Sequence, residues 1–391
     1  MVPRVTAPEP EFSLCQDPIL RFQRALRLVP GEKFAGALRA IVMAIVCWAP
    51  IMTWAALTGH LDPNVQDESI MRHLGVHIRC IIGIPLLILS EPIADRVMRI
   101  LTAYFPASGL IRDEERAAYA AILRSVERLR DSAIALAIIL GTVVLSVVFA
   151  RRRWLTEDAD ALIWNSNSAA LDFGGWWALY IVRPLFLFLL LTWIWRLVLT
   201  WILFRRISRL GLQLVPSHPD RVGGLGVMRL HSVAFSLVVL AISSVACAAI
   251  AHQLLAHGGT VAQVQPLLIF LVALLLVLFA LPLTAFSPQL RRTSLRAQFE
   301  YGTLSGRHVR GLHERWVNGK KLEDDILSAP EIGPAADVAT LYTMATKMQM
   351  VPFGKNQLLA LVVPAAVPAV LVISLEVPLA DLIMSLLKML S

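Results

Sequence analysis

His73 and His77 are the first residues of this 391-residue chain whose spacing could do chemistry. Four positions apart on a helix, two imidazoles face one way and could ligate a metal or haem iron, with His60 and Cys80 nearby. Spacing fixes no third ligand, so interfacial histidines are the preferred reading, and His252 with His257 reads the same way. No metal or cofactor is expected. The stretch SHPDRVGGLG at 217–226 offers a different chemistry. Its glycines fall as GGxG rather than GxGxxG, no strand precedes them, and no P-loop string occurs elsewhere. Two readings stand for His218, Asp220, Arg221, Gly223, Gly224 and Gly226. One is a tight connector in which Pro219 and Asp220 favour a turn and the glycines supply positive φ or close approach. The other is a loop whose backbone N–H groups, with Arg221, bind an anion or gate a pathway.

A third group consists of ionisable residues inside apolar runs: Glu91, Arg183, Arg196 and Glu376. Such groups are expensive in hydrocarbon, so they line a solute path, form structural ion pairs or snorkel to an interface. Glu91 and Arg196 each sit shortly before the arginines that end their spans, which places both at one depth and predicts that they pair. Arg183 and Glu376 fall toward the other side and form a second expected pair. Arg183 and Arg196 differ by about 220° on a straight helix, so they point away from each other. No HExxH, GxSxG or paired-carboxylate motif is present, and no catalytic residue is assigned.

These residues must be positioned by membrane helices. Hydrophobic residues make up 57% of the chain and charged ones only 16%, well under the quarter or so of a soluble domain. Apolar runs at 38–58, 76–98, 131–150, 175–203, 231–254 and 264–287 are each long enough to cross a hydrocarbon core. The last region, 356–390, is interrupted at Glu376 and Pro378 and reads as one helix or a hairpin. The expected fold is therefore an all-α polytopic bundle of seven or eight crossings. Its parts are a tail over 1–36, a bundle of six helices over 37–287, a helical cytoplasmic segment over 288–355 and a C-terminal membrane segment over 356–391. Residues 112–130 run into the third span without a breaker and predict one long helix. In the fifth span Ala241, Ser244, Ala248 and Ala251 share a face that lets a neighbour approach closely.

Charge sets the orientation. The net charge of +8 suggests no nucleic acid here, because basic residues collect in the loops expected to be cytoplasmic. Those loops hold Arg96 to Arg130, Arg205 to Arg229 and Arg291 to Lys355; the opposite ones hold Arg72, Arg79 and Arg151–Arg153. The N-terminus is thus expected in the cytoplasm. The stretch 18–29 places Ile19, Phe22, Leu26 and Val29 opposite Arg21, Arg24 and Arg27, as in a helix lying on anionic lipid. The four cysteines show no CxxC spacing and imply no disulfide framework.

The strings IPLLILSEP, HPDRVGGLG, EYGTLSGRHVRGLHERW and MVPFGK resemble an uncharacterised family of multi-pass bacterial inner-membrane proteins. The resemblance covers most of the chain from about residue 18. It implies a bacterial inner-membrane location and carries no assigned activity. The functional expectation is a channel or transporter for a small solute or ion; the alternative is a non-transporting scaffold or sensor. The expected partner is the bilayer, with anionic lipids at the cytoplasmic face, and a homo-oligomer stays open.

Overall fold

The computed structural model describes residues 12–15, 35–61, 70–156, 172–257, 260–318, 332–352 and 354–375. All regular structure among them is helical. We number the helices α1 (Ala35–Thr58), α2 (Leu74–Ala107, with an inserted π-turn), α3 (Arg116–Arg130), α4 (Ala133–Thr156) and α5 (Phe173–Ile207, also with a π-turn). The remainder are α6 (Arg229–His257), α7 (Val261–Ala280), α8 (Ser287–Trp316), α9 (Ile332–Thr346) and α10 (Lys355–Ile373). Among the described residues six helical segments are long and apolar enough to cross a membrane, and α10 holds a shorter apolar stretch, Gln357–Ile373. The chain is an integral membrane protein. The choice between a single C-terminal crossing and a hairpin, the interfacial helix at 18–29 and Glu376 all lie outside the described residues.

The centre of the bundle is α6. Of its most apolar window 61% is buried, against 6% for the segment containing α4, which turns Ile134, Ile138, Val144 and Phe149 outward. Small residues explain the centrality. Ala241, Ala248 and Ala251 are buried, and Cys247 and Ala251 pack with Ala369 and Val372 of α10. The approach is close enough for the Ser243 hydroxyl to donate to the Ala365 carbonyl at 2.6 Å. Aromatic rings from several helices fill the layer nearer the arginine-rich turns, which we call the basic end. Trp193 meets Phe235 edge-on at 5.8 Å, Phe235 meets Phe279 at 5.7 Å and Phe204 meets Phe286 at 5.5 Å. His231 is fully buried among them and donates from Nε2 to the Phe279 carbonyl at 3.0 Å.

Two helices depart from regular geometry in the same way. In α2 the Ile84 N–H reaches back five residues to the Arg79 carbonyl, and Pro85 follows. In α5 the Arg183 N–H reaches back to Ala178, and Pro184 follows. Proline has no N–H for the next α-type bond and its ring crowds the preceding turn, so the backbone widens just before it.

Three expectations are corrected. The segment 112–130 does not run straight into the third span: α3 ends at Arg130 and α4 starts at Ala133. Asp131 and Ser132 are poor helix-interior residues whose side chains bond locally, Asp131 with Arg130 and Ser132 with the Ala135 N–H at 3.5 Å. Arg79 is not a loop residue; it lies inside α2, with its guanidinium carbon 5.6 Å from the Phe186 ring centre. Finally, the stretch APEIGPAAD at 329–337, whose prolines and glycine read as a loop, holds the start of α9 at Ile332, because Pro334 falls in a first turn whose N–H groups have no intrahelical acceptor.

Candidate functional site

Glu91 lies on α2 and is only 6% exposed, and Arg196, on α5, is 2% exposed. The structure brings them together: Arg196 donates through both Nη1 and Nη2 to Glu91 Oε1, at 3.2 Å each. The depth count that put these residues at one level of the membrane explains why they can meet. A third member was not foreseen. Arg39, on the first turns of α1, donates from Nη1 to Glu91 Oε2 at 2.9 Å. Its sequence signal was present, a lone arginine one residue inside an apolar run, but it reads equally as a boundary charge. One carboxylate thus serves two guanidiniums, and Arg196 also lies over the Trp193 ring at 4.9 Å.

Beside this cluster is a cavity of about 340 Å³ between α1, α2, α4 and α5. Arg39, Glu91, Arg130, Asp131 and Arg196 line one end, and Leu185, Phe188 and Leu189 the other. Arg183 does not line it, in keeping with the opposite directions expected of Arg183 and Arg196.

A second polar centre next to the cavity was also missed. Asp95, one helical turn beyond Glu91, accepts from the Ser13 hydroxyl at 2.6 Å and from the Leu14 and Cys15 N–H groups at 3.1 and 3.3 Å. Arg99 pairs with the same carboxylate, and Arg130 donates to the Ser13 carbonyl. The stretch Phe12–Cys15 is buried as a result. Nothing in its composition signals this, because the docking depends on an aspartate some 80 positions away.

The glycine loop is built around its own aspartate. Asp220 accepts from the N–H groups of Val222 at 2.9 Å, Gly224 at 3.0 Å and Gly226 at 2.8 Å, and His218 Nδ1 lies 2.8 Å from it. Burial pushes the Asp220 carboxyl up, but these donors outweigh it and hold it below the usual carboxylate range. These backbone N–H groups are thus turned onto Asp220 from within the loop, an arrangement in keeping with the tight-connector reading. Gly223 and Gly224 have positive φ, 68° and 97°; Gly226 does not, and is small because a Cβ there would lie 3.0 Å from Asp220. Arg221 also takes a positive φ of 61°, fixed when its carbonyl accepts the Gln349 N–H at 2.7 Å. Tyr104 closes the other side by donating to the Gly224 carbonyl at 3.2 Å. The loop ties α2 to the chain that follows α9.

Among the described residues the histidines have separate partners. His73 precedes the first turn of α2 with ψ 64°, so it and His77 do not share a helical face. His77 accepts from Trp48 Nε1 at 3.0 Å and reaches the Ile70 carbonyl at 3.0 Å, while His73 packs on the ring of His252 at 5.2 Å. No group of three or more metal-ligating side chains occurs among the described residues. The chain matches no protein-family model, no curated protein and no solved structure.

Proposed function

We propose that this membrane protein carries a small solute or ion across the bilayer, with the Arg39–Glu91–Arg196 cluster as its binding station. The observation that carries the reading is the cavity itself. A purely structural ion pair needs no space beside it, whereas this one borders about 340 Å³ inside the membrane-spanning part of the bundle. The remaining features of the proposal follow the sequence: a bacterial inner membrane, the uncharacterised multi-pass family, a cytoplasmic N-terminus and anionic lipid at the cytoplasmic face. A scaffold or sensor is the second reading, favoured by α8, which carries Arg291, Arg292, Arg296, Arg307 and Arg310.

Alternating access tests the choice. Thr192, which lines the cavity, is replaced by cysteine and exposed to membrane-impermeant maleimide from either side of oriented vesicles. A transporter gives labelling from both sides, in proportions that shift with conditions. Labelling that never occurs from one side would leave the scaffold reading standing.

A further inference from the structure

A second recess lies outside the membrane-spanning segments, between the glycine loop and α9, and measures about 460 Å³. One wall is α9 and the residue that follows it. Thr340, Thr343, Met344 and Lys347 are spaced i, i+3, i+4 and i+7 and so share one helical face. Lys347 keeps that register because its N–H still bonds to the Thr343 carbonyl, at 3.1 Å. The other wall is the loop, through His218 and Arg221. The walls are tied together. The Gln349 N–H donates to the Arg221 carbonyl at 2.7 Å, and Met348 packs so near Gly223 that a Cβ there would meet it at 3.1 Å. The recess is therefore preformed.

Its chemistry is cationic. Arg221 supplies a guanidinium from one wall and Lys347 an ammonium from the other, and no carboxylate lines the space between them. The acid of the loop, Asp220, has its oxygens engaged by three backbone N–H groups and by His218. Among the described residues neither cation has an acidic partner, whereas Arg99, Arg116 and Arg296 each have one. Arg221 is also unfavourable where it stands. Its φ of 61° suits glycine, which fills the other left-handed positions of this loop at 223 and 224. The turn alone gives no reason for a guanidinium there, and a ligand that needs one does. The Thr340 and Thr343 hydroxyls donate to the carbonyls four residues back, at 2.9 Å each, which leaves their oxygen lone pairs as acceptors.

We infer that this recess binds a small phosphate ester bearing hydroxyl groups, with its phosphate between Arg221 and Lys347. Guanidinium and ammonium together suit a dianion, and the ester's hydroxyls suit the threonine oxygens. The volume fits an organic ligand rather than a bare ion, since small-molecule pockets run to roughly 300–1,000 Å³. The ester is soluble or is the headgroup of a glycerophospholipid at the basic end. Bound there, it ties the loop to α9 a second time. The site is separate from the Glu91 cluster and stands whether or not the protein transports.

The full-length protein, purified in phosphate-free detergent, is titrated by calorimetry with glycerol 3-phosphate, adenosine monophosphate, inorganic phosphate and glycerol. One equivalent of an ester should bind, and glycerol should not. Arg221→Gly is the decisive variant, because it removes the guanidinium and gives the turn the residue its φ prefers. It should weaken ester binding about tenfold or more, as loss of one charge-assisted bond predicts, at an unchanged or raised thermal midpoint. Lys347→Gln should weaken binding likewise. Native mass spectrometry from nanodiscs separates the two sources. Retention of phosphatidylglycerol over phosphatidylcholine, lost in Arg221→Gly, assigns a lipid headgroup; calorimetric binding without such retention assigns a soluble ester. Inorganic phosphate that binds as tightly as either ester would refute an ester ligand. Binding unchanged in both variants, or no phosphate compound bound in either format, would overturn the site.

Discussion

Removing the charge of Glu91 should cost more than removing either arginine that faces it. Glu91→Gln keeps the side-chain volume and one acceptor oxygen. It leaves Arg39 and Arg196, now 2.9 and 3.2 Å from the carboxylate, as two buried cations with no anion between them. With Glu91 6% and Arg196 2% exposed, water does little to screen them. An uncompensated buried charge costs about 3–5 kcal/mol. Arg196→Met instead leaves the Arg39–Glu91 pair intact and balanced, and Arg39→Met leaves the Arg196–Glu91 pair. Each then loses only its own charge-assisted bonds, about 1.5–3 kcal/mol. A simple two-residue pair would give equal penalties, so the order itself is diagnostic. The three-member cluster also limits charge reversal. Exchanging Glu91 and Arg196 restores one contact but sets the new arginine against Arg39, so recovery should be partial and should improve when Arg39→Gln is added. The assay is thermal unfolding of purified variants, together with the yield of monodisperse protein. If Glu91→Gln proves no worse than Arg39→Met or Arg196→Met, the shared-carboxylate account is wrong.

In the glycine loop, Gly223→Ala and Gly224→Ala should each cost about 1 kcal/mol or more through positive φ. Gly226→Ala should cost stability only while Asp220 is present, and a double-mutant cycle with Asp220→Ala that shows no coupling would refute the close-approach explanation. Because the folded-state carboxyl of Asp220 lies below its unfolded value of about 3.9, its contribution is complete above that pH and lost as pH falls through the lower folded value. The stability difference between wild type and Asp220→Asn should therefore be constant from pH 5 to 7 and shrink below pH 4; a difference that grows on acidification would contradict the sign. Asp95→Ala removes the acceptor that holds Ser13, Leu14 and Cys15, so the Cys15 thiol, now 2% exposed, should react faster with maleimide. An unchanged rate would mean that the apolar contacts of Phe12 and Leu14 suffice. For topology, Ser217→Cys and Ser305→Cys should resist impermeant reagent applied from the side opposite the basic end, with low background because all four native cysteines are buried; efficient labelling there inverts the orientation.

The spans were legible in the sequence because hydrocarbon leaves little choice: a backbone without water must bond within itself, and an apolar run of the right length becomes a helix. The depth of Glu91 and Arg196 was legible for the same reason, since position along a span is position across the membrane. A positive φ at one or more of the glycines 223, 224 and 226 was legible because few other residues tolerate that backbone; that it falls at 223 and 224 and not at 226 was decided by the fold. Rotation about each helix axis was not legible, and it decided the rest. Whether Arg39 turns toward Glu91 or toward the headgroups depends on how α1 packs against α2, and an apolar stripe on a helix with lipid on one side and protein on the other does not reveal which face is which. Long-range partners were hidden by the same freedom. The carboxylate of Asp95 could have met water, a lysine or another helix, and only the packed bundle puts Ser13, Leu14 and Cys15 against it. The cavity is the extreme case: it is a gap left where four helices fail to fill their common space, a property of tertiary packing that belongs to no single stretch of residues.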